Sequence, residues 1–344
     1  MTALHMEPPA SPEWHRLWES TGREPFAHPS YLGLTPSPGE RALAACWSDD
    51  SGEVLLPLLL RPLPDDPQVQ DVAGGWTDAI SPYGYGGPFL SGEPDLAGFF
   101  AALRGWMRDE HVLTGFVRAS LGVDLPPDAV DDGYEAVHLT DNVVVSLAGG
   151  PEDRWQHYDR KVRKNVNKAR RHDLRIEVRD DFGDVAEFVS VYHGTMDRRG
   201  ADGRYWFGTE YFEGIRDRLA GCYWVADVLD PDGRVVSTEL VLRSDTRCYS
   251  FLGGTHADAF PMAPNDLLKH EVIEHAAASG LSGYVLGGGY QPDDGIFRYK
   301  RAFDPDGVVP FRGVRLTSSI ETYERLRALR PDVDPRFFPA YRAP

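Results

Sequence analysis

The chain has 344 residues, 42% of them hydrophobic and 26% charged, and this length favours two domains that each bury a core. A formal net charge of −17 argues against a general binder of nucleic acid or anionic membranes, because long-range repulsion opposes both. Its apolar runs are far shorter than the roughly 18 residues of a membrane span, and no secretory signal opens the chain. Three scattered cysteines make no disulfide or zinc framework. We expect a cytoplasmic protein, monomeric or weakly dimeric, without metal or bound cofactor.

The first half of the chain alternates helical and strand patterns. Apolar residues at helical spacing predict helices, and short runs flanked by turn residues predict strands. A glycine pair, Gly149–Gly150, ends this half, so the predicted first domain spans residues 1–150. The predicted elements are a helix at 12–19, a hairpin over 41–61, a helix at 94–110 and strands at 115–118 and 142–147.

The second half repeats this order of helices, antiparallel hairpin, helix and strand. It opens with an amphipathic helix whose apolar stripe runs from Trp155 to Ala169. The repetition predicts a duplicated α+β unit with mixed sheets, and the predicted second domain is 151–344, with a C-terminal helix at 318–330. The other predicted elements are helices at 183–198, 209–219 and 265–279, a hairpin over 223–243, and strands at 246–252 and 283–286.

The amphipathic helix carries seven cations between Arg160 and Arg171 with no acid among them. An ordinary surface helix in so acidic a chain should carry compensating acids one turn away. The pattern therefore indicates a phosphate-bearing ligand, although a solvated charged face explains it equally well. The candidate phosphate-binding residues are Arg160, Lys161, Arg163, Lys164, Lys168 and Arg171.

Lysine is rare in this chain, with five lysines among 36 cationic residues. Lys300 lies between Phe297, Tyr299 and Phe303, just after the glycine run 287–289 that follows a predicted strand. We expect this segment to form a loop at the end of that strand, where α/β proteins place their sites. Aromatic neighbours that partly desolvate an ammonium make it suited to stabilising an oxyanion. The alternative is a surface lysine whose neighbours only pack the core.

Two further features carry candidate residues. The run SPYGYGGPF at 81–89 brings three glycines and two tyrosines together, so its backbone can approach a ligand closely, although a tight turn is the simpler explanation. Glu239 is a candidate general base, because it lies on one face of an interior strand where burial raises a carboxyl pKa. His256, His270 and Asp78 are weaker candidates. The hydrolase, zinc-protease, P-loop and Rossmann motifs are absent.

Several motifs in order along the chain resemble the FemABX group of aminoacyl-tRNA-dependent transferases. They are SPYGYGGPF, HYDRKVRKNVNKARRHDL at 157–174, YHGTMDRRG at 192–200, VVSTELVLR at 235–243 and YVLGGGYQPDDGIFRYKRAF at 284–303. The resemblance implies two tandem GNAT-like domains. It also implies that an acceptor amine attacks an aminoacyl ester on tRNA without ATP or metal. Only 199–209 separates two predicted helices, so the coiled-coil arm of some members has no room here. The implied acceptors are then peptidoglycan precursors or peptide and nucleoside antibiotics.

The resemblance also assigns roles to particular residues. Tyr299 and Lys300 match the aromatic–lysine pair in which the lysine stabilises charge on the ester. Lys161, Arg163, Lys164 and Lys168 match a basic segment and are implied to contact tRNA or an acceptor pyrophosphate. Tyr83, Tyr85 and Arg298 are implied acceptor contacts, and Asp78 and His256 are grouped with them as substrate-binding candidates.

Two other functions remain open from the sequence. The first is an acyl-CoA-dependent N-acyltransferase, which uses the same scaffold but normally has a Q/R-x-x-G-x-G/A loop for the CoA pyrophosphate. Residues 252–266 contain no such loop. The second is a binding protein that keeps the GNAT-like fold without catalysis.

Overall fold

The structure, a computed structural model, describes residues 3–35, 37–127 and 132–343, without the side chains of Ala3 and Arg204. The chain forms two compact units. Unit 1 consists of Met1–Leu139 and Phe311–Pro344, and unit 2 of Thr140–Pro310.

Unit 1 has a mixed sheet of strand order β1-β2-β3-β4-β6-β13, with β5 paired to β3. Every pair is antiparallel except β4 with β6. The strands are β1 (Ala3–Glu7), β2 (Arg41–Ser48), β3 (Gly52–Pro62), β4 (Thr77–Ile80), β5 (Phe89–Gly92), β6 (Val112–Arg118) and β13 (Val308–Thr317).

The helices of unit 1 cover this sheet with apolar faces. On α3 the buried residues include Phe99, Phe100 and Leu103, which pack in one cluster with Val54 and Leu56 of β3. This is the apolar face that the helical spacing predicts. The helices are α1 (Pro12–Ser20), α2 (Pro67–Ala73), α3 (Leu96–Asp109) and α10 (Ile320–Ala328).

The C-terminal segment corrects the domain boundaries expected from the sequence. Phe311–Pro344 belongs to unit 1 rather than to a second domain of residues 151–344. Gly313–Thr317 of β13 pair antiparallel with β6, and Leu326 of α10 packs with Val69 of α2. These contacts join residues more than 190 positions apart, which local periodicity cannot reveal.

Unit 2 has a sheet of strand order β7-β12-β11-β10-β9-β8. Its pairs are antiparallel except β11 with β12, which run parallel. The strands are β7 (Tyr134–Ser146), β8 (Arg175–Arg179), β9 (Tyr223–Leu229), β10 (Val235–Arg243), β11 (Arg247–Thr255) and β12 (Gly283–Gly287).

Six helices complete unit 2, and the basic one is shorter than the sequence predicts. The stripe from Trp155 to Ala169 belongs to two helices, because Tyr158 has an extended backbone that ends the first of them. The helices are α4 (Pro151–His157), α5 (Arg160–Arg171), α6 (Val185–Arg199), α7 (Thr209–Arg218), α8 (Pro264–Ala278) and α9 (Gly295–Arg301).

The predicted α+β class with mixed, mostly antiparallel sheets is confirmed. The stretch that separates α6 from α7 holds one 3-10 turn, Gly203–Tyr205, so no coiled-coil arm is inserted there. No helix among the described residues is long and apolar enough to cross a membrane.

Candidate active site

The main cavity described in unit 2 lies beyond the point where two neighbouring strands stop pairing. The parallel pairing of β11 with β12 ends at Tyr249 and Val285. One residue later the β10–β11 register shifts: Ser250 lies opposite Val241 and Leu252 opposite Leu240, which leaves Phe251 as the extra residue of a bulge. A bulge bends its strand. A cavity of about 850 Å³ opens at this end of β11, as expected at the carboxyl ends of parallel strands.

The glycine run at the end of β12 lets two polar groups approach the backbone closely. Gly287 has a φ of +78°, which favours glycine. A Cβ on Gly288 would lie 2.7 Å from the carbonyl oxygen of Asp141, and one on Gly289 only 2.3 Å from Oδ1 of Asp294. Larger residues at these two positions would displace the loop that borders the cavity.

The carboxylate of Asp294 fixes this loop to helix α9. It accepts hydrogen bonds from three backbone N–H groups, those of Tyr290 (2.7 Å), Gln291 (3.2 Å) and Phe297 (2.7 Å). The last of these makes Asp294 the N-cap of α9. These bonds also lower the pKa of Asp294. The segment from residue 295 was predicted as a loop and is instead a helix. Its start is fixed by the side chain of Asp294, which caps the first turn.

Lys300 extends from α9 along the wall of the cavity. Its Nζ donates a hydrogen bond of 2.6 Å to the carbonyl oxygen of Gly288, and both Lys300 and Tyr299 line the cavity. Burial, together with the nearby ammonium of Lys269, lowers the pKa of Lys300 to about 8. The Tyr299 hydroxyl accepts a hydrogen bond of 2.7 Å from Nδ2 of Asn265, and burial raises its pKa. Lys300 is thus held and partly desolvated, as the sequence predicts.

Glu239 lies on the cavity wall but is engaged by two other side chains. Lys269 Nζ contacts Oε1 of Glu239 in a buried ion pair, and the Tyr284 hydroxyl donates to Oε2 at 2.9 Å. Lys269 also donates to Oγ of Ser250 (2.6 Å) and to the Tyr284 hydroxyl (3.2 Å). A carboxylate with both oxygens accepting from such donors is poorly placed to take a proton from substrate. Lys269 was not among the predicted site residues. The only signal for it in the sequence is the rarity of lysine in this chain.

The outer part of the cavity wall carries aromatic rings and two arginines. Tyr290 and Phe260 line the cavity and are 69% and 51% exposed. The guanidinium of Arg198 lies 4.8 Å from the Phe260 ring centroid and donates to the carbonyl oxygen of Thr255 at 2.9 Å. Arg199 also lines the cavity and is exposed. These groups form an amphipathic entrance.

Asp78 is a correction to the predicted substrate contacts. It is fully buried in unit 1, where it pairs with Arg61 at 2.9 Å and with Arg342, and accepts from the Tyr341 hydroxyl at 3.3 Å. A carboxylate with these partners and no exposed surface has no access to a ligand.

The other predicted substrate contacts do not line the unit 2 cavity. Tyr83 is 47% exposed in unit 1, and burial raises the pKa of Tyr85, whose ring packs against Phe26 and Phe311. In unit 2, Arg298 is exposed and pairs with Asp293 at 3.6 Å, while the backbone N–H of His256 donates to Val236. His270, the other base candidate, hydrogen-bonds Tyr158 and Arg170 within the packing of α5 on α8.

The cations of α5 divide into two groups. Arg163 donates to the carbonyl oxygens of Gln156 (2.8 Å) and Tyr158, so it holds the α4–α5 turn, and its predicted contact with tRNA or an acceptor pyrophosphate stays a prediction. Arg170, which the sequence analysis left out of the binding set, pairs with Glu271 at 3.2 Å. At about 100° per residue, the remaining five cations fall within roughly 100° of the helix circumference, opposite the buried Val162, Val166 and Ala169. Within the described ranges none of these five forms an ion pair: Arg160, Lys161, Lys164, Lys168 and Arg171.

No group of three or more histidine, cysteine, aspartate or glutamate side chains in the described parts of the chain is arranged to hold a metal ion.

Comparison with known proteins relates the part of the chain that contains this cavity to one family model. Residues 156–301 match the family model described as an acetyltransferase (GNAT) domain, and all the residues that line the cavity fall within this match. The chain thus has the fold of the GNAT acyltransferases. No curated protein sequence matches the chain.

Three solved structures share the fold across both units. FemX is 15% identical, with 80% of this chain and 87% of FemX covered at a TM-score of 0.61. L-PGS from Bacillus licheniformis is 13% identical, with coverage of 94% and 97% and a TM-score of 0.56. A protein of unknown function from Bacteroides thetaiotaomicron VPI-5482 is 9% identical, with coverage of 92% and 100% and a TM-score of 0.60. The resemblance predicted from the sequence motifs is confirmed at the level of the fold.

Proposed function

We propose that this chain is an aminoacyl-tRNA-dependent aminoacyltransferase that forms an amide with an acceptor amine. The acceptor class that we propose is a peptidoglycan precursor or a peptide or nucleoside natural product. The fold shared with FemX and L-PGS and the ordered motifs of the sequence support this function. The cavity of unit 2 would take the aminoacyl ester.

The observation that carries the proposal is the position of Lys300. The acceptor nitrogen attacks the ester carbonyl, and negative charge develops on the carbonyl oxygen. An ammonium that is partly desolvated and hydrogen-bonded to the Gly288 carbonyl stabilises that charge more strongly than one in water. Its position is already set before substrate binds, so little reorganisation opposes the reaction.

Proton transfer in this mechanism runs between the substrates. The new C–N bond forms as the ester C–O bond breaks, and the proton lost by the attacking amine passes to the departing ribose oxygen. Glu239 is left out of this step because Lys269 and Tyr284 occupy both of its oxygens. We assign it to holding Lys269 instead.

The basic face of α5 supports a tRNA donor. Five cations share one side of the helix, and among the described residues none of them forms an ion pair. A row of this kind matches the spacing of successive phosphates better than it matches a single carboxylate ligand. The charge of the whole chain, −17, then limits binding of nucleic acid to this face.

An acyl-CoA-dependent N-acyltransferase is the second candidate, favoured by the description of the matching family model. In that chemistry the CoA pyrophosphate binds free backbone amides at a helix start. Here α8 starts at Pro264, whose nitrogen carries no N–H, and the carboxylate of Asp266 lies in its first turn, where it would repel a pyrophosphate. Burial raises the pKa of Asp266, in the first turn of α8, to about 6. These features favour the tRNA donor.

The test is transfer of label from a pool of charged tRNAs to candidate acceptors, with and without ribonuclease, beside a parallel acetyl-CoA assay. Two variants that each remove one positive charge, K300M and K164M, are compared with the unchanged protein. We expect ribonuclease-sensitive transfer, a loss of turnover of several hundredfold in K300M, and a mainly raised KM for tRNA in K164M. Transfer only from acetyl-CoA would establish the second candidate, and undiminished turnover in K300M would remove its catalytic assignment.

A further inference from the structure

Exposed aromatic rings lie at the entrance of the unit 2 cavity. Three tryptophan, tyrosine or phenylalanine side chains are exposed in the described part of unit 2: Trp206, Phe260 and Tyr290. Two of them, Phe260 and Tyr290, line the cavity. We infer that these two rings stack on the unpaired nucleotides at the 3′ end of the donor tRNA. This inference rests on the proposed function and adds a binding subsite to it.

The ring of Phe260 is held in place although half of the residue is exposed. The guanidinium of Arg198 lies over this ring, 4.8 Å from its centroid. It donates to the carbonyl oxygens of Gly194 (3.1 Å) and Thr255 (2.9 Å) and to Oγ1 of Thr195 (3.1 Å). Aromatic rings and arginines are the groups on which unpaired bases stack. Because this pair is already fixed, little side-chain freedom is lost when a base binds.

Tyr290 lies close to the reacting group. It follows Gly288 by two residues, a span of at most about 7 Å, and the Gly288 carbonyl oxygen accepts the hydrogen bond of Lys300. The backbone N–H of Tyr290 donates to Asp294 at 2.7 Å, so the loop is fixed while the ring is exposed. An ester whose carbonyl lies at Lys300 therefore has its terminal nucleotide within reach of Tyr290.

The charge of the cavity suits a ligand that carries phosphates. Four cations and two carboxylates line it, which gives a net charge of +2 with both lysines protonated, in a chain whose net charge is −17. Both carboxylates, Glu239 and Asp294, already accept hydrogen bonds. Arg199 is exposed and forms no hydrogen bond or ion pair with any residue that the structure describes. It is thus available to a phosphate next to a stacked base.

The basic helix lies next to the rings, which favours tRNA over a free nucleotide. The 3-10 turn Ala257–Met262 carries Phe260 and contacts α5. Ala259 of this turn is buried in the same apolar cluster as Val162 and Val166 of α5. Bases in a duplex are hidden from stacking, whereas those of a single strand are open to it. One tRNA can therefore contact α5 through paired phosphates and the cavity through its unpaired end, whereas a free nucleotide would occupy the rings alone.

The experiment measures the Kd of an uncharged bulk tRNA pool at one salt concentration, beside the same pool trimmed of its unpaired nucleotides by a 3′ exonuclease. We expect F260A and Y290A each to weaken binding of the intact pool by about fivefold or more, the scale of one stacked base, and to leave binding of the trimmed pool unchanged. K164M should weaken binding of both pools alike. F337A removes a ring 43% exposed on unit 1; it is the matched control and should change neither.

Two further variants separate stacking from apolar packing. F260Y keeps a flat ring and should bind the intact pool like the unchanged protein. F260L keeps an apolar side chain without a ring, and we expect it to bind as weakly as F260A. Equal binding by F260L and the unchanged protein would contradict the inference, because it would show that no ring is needed.

The remaining outcomes separate this inference from the function on which it rests. If neither pool binds and charged tRNA supports no transfer, the function and the inference fall together. If charged tRNA supports transfer while F260A and Y290A bind the intact pool normally, or weaken both pools equally, the function stands and the inference is overturned. A loss of acetyl-CoA binding in F260A with unchanged tRNA binding would assign the ring to the CoA nucleotide and also overturn it. If F260A fails to fold in a thermal melt, Y290A decides by the same comparison.

Discussion

Each unit buries one carboxylate with cations and a tyrosine, yet only one of the two clusters borders a cavity. Asp78 in unit 1 is fully buried between Arg61, Arg342 and Tyr341. Glu239 in unit 2 is 4% exposed and contacts Lys269 and Tyr284 beside the 850 Å³ cavity. Similar chemistry therefore has different consequences. The Asp78 cluster ties the C-terminal segment to the sheet, whereas the Glu239 cluster places a second ammonium near Lys300.

The largest expected effect is in unit 1. In D78A two largely buried arginines lose their carboxylate, so we expect the free energy of unfolding to fall by about 3–5 kcal/mol. Urea denaturation measures this, with D71A, an exposed aspartate of the same unit, as the control. Transfer by the fraction that stays folded should be unchanged. A loss of turnover without loss of stability would give Asp78 a role in the site.

The second prediction tests whether the Glu239 cluster does more than stabilise. K269M leaves Glu239 buried without its cation, and we expect a loss of about 3 kcal/mol, at the lower end for a broken buried pair. Adding E239L should restore much of the stability, because an apolar pair of similar volume replaces the ion pair. We also expect K269M to lower turnover, because Lys269 lines the cavity near Lys300, and turnover should stay low in the double variant. If the double variant recovered both stability and turnover, the Glu239 cluster would have only a structural role, like the Asp78 cluster.

The third prediction concerns the pH dependence of kcat. It tests the lysine beside the Glu239 cluster, because a lysine can titrate near neutral pH whereas the arginines of the Asp78 cluster cannot. Because the pKa of Lys300 is lowered to about 8, we expect kcat to fall about tenfold per pH unit above that value. In K300R the cation does not titrate in this range. We therefore expect kcat of K300R not to fall above pH 8, even if its kcat is lower at every pH. If kcat of K300R still fell above pH 8, the titrating group would be one other than Lys300.

The same pKa also predicts how stability depends on pH. Lys300 has an ordinary pKa of 10.5 and a lowered one in the fold, so between about pH 8 and 10.5 the unfolded chain binds more protons. The free energy of unfolding should therefore rise with pH in this window. In K300M that rise should disappear, as measured by denaturation at pH 7, 9 and 10.5.

The smallest expected effect is at Asp294, a carboxylate that is neither paired with a cation like Asp78 nor bound to lysine like Glu239. D294A removes the N-cap of α9 and should cost about 1 kcal/mol of stability, with a fall in kcat because α9 carries Lys300. D294N keeps a good capping residue and should retain most of both. Equal losses in the two variants would mean that the charge, rather than the cap, matters.

Local patterns predicted most of the regular elements for a simple reason. The stripe of α3 reports one buried face, and the short apolar runs of β9 and β10 report strands that are buried on both faces; both patterns depend on neighbours in the sequence. The break at Tyr158 was missed because the apolar stripe continues through it, although the Arg163 guanidinium accompanies the break by donating to the carbonyls of Gln156 and Tyr158. The helix that carries Lys300 was missed because the glycine run before it is typical of a loop. The structure shows that Asp294 caps the helix after this run.

The site could be predicted only in part. Lys300 and Tyr299 follow from a motif in one short segment. Lys269 and Glu239 are 30 positions apart and on different elements, so their pairing depends on how α8 packs against β10. The contrast between Asp78 and Glu239 was invisible, because both are buried acids in strand-like sequence and only the tertiary structure places Glu239 beside a cavity.

By itself the sequence determined the α+β class, the lysine on which the proposed chemistry depends and the basic face of α5, because composition and periodicity fix which residues share a face. The tertiary structure alone decided that the C-terminal segment joins unit 1, that a bulge opens β11 from β12, and that Glu239 holds Lys269 rather than a substrate proton. These depend on contacts between distant residues, whose free energy no local pattern records.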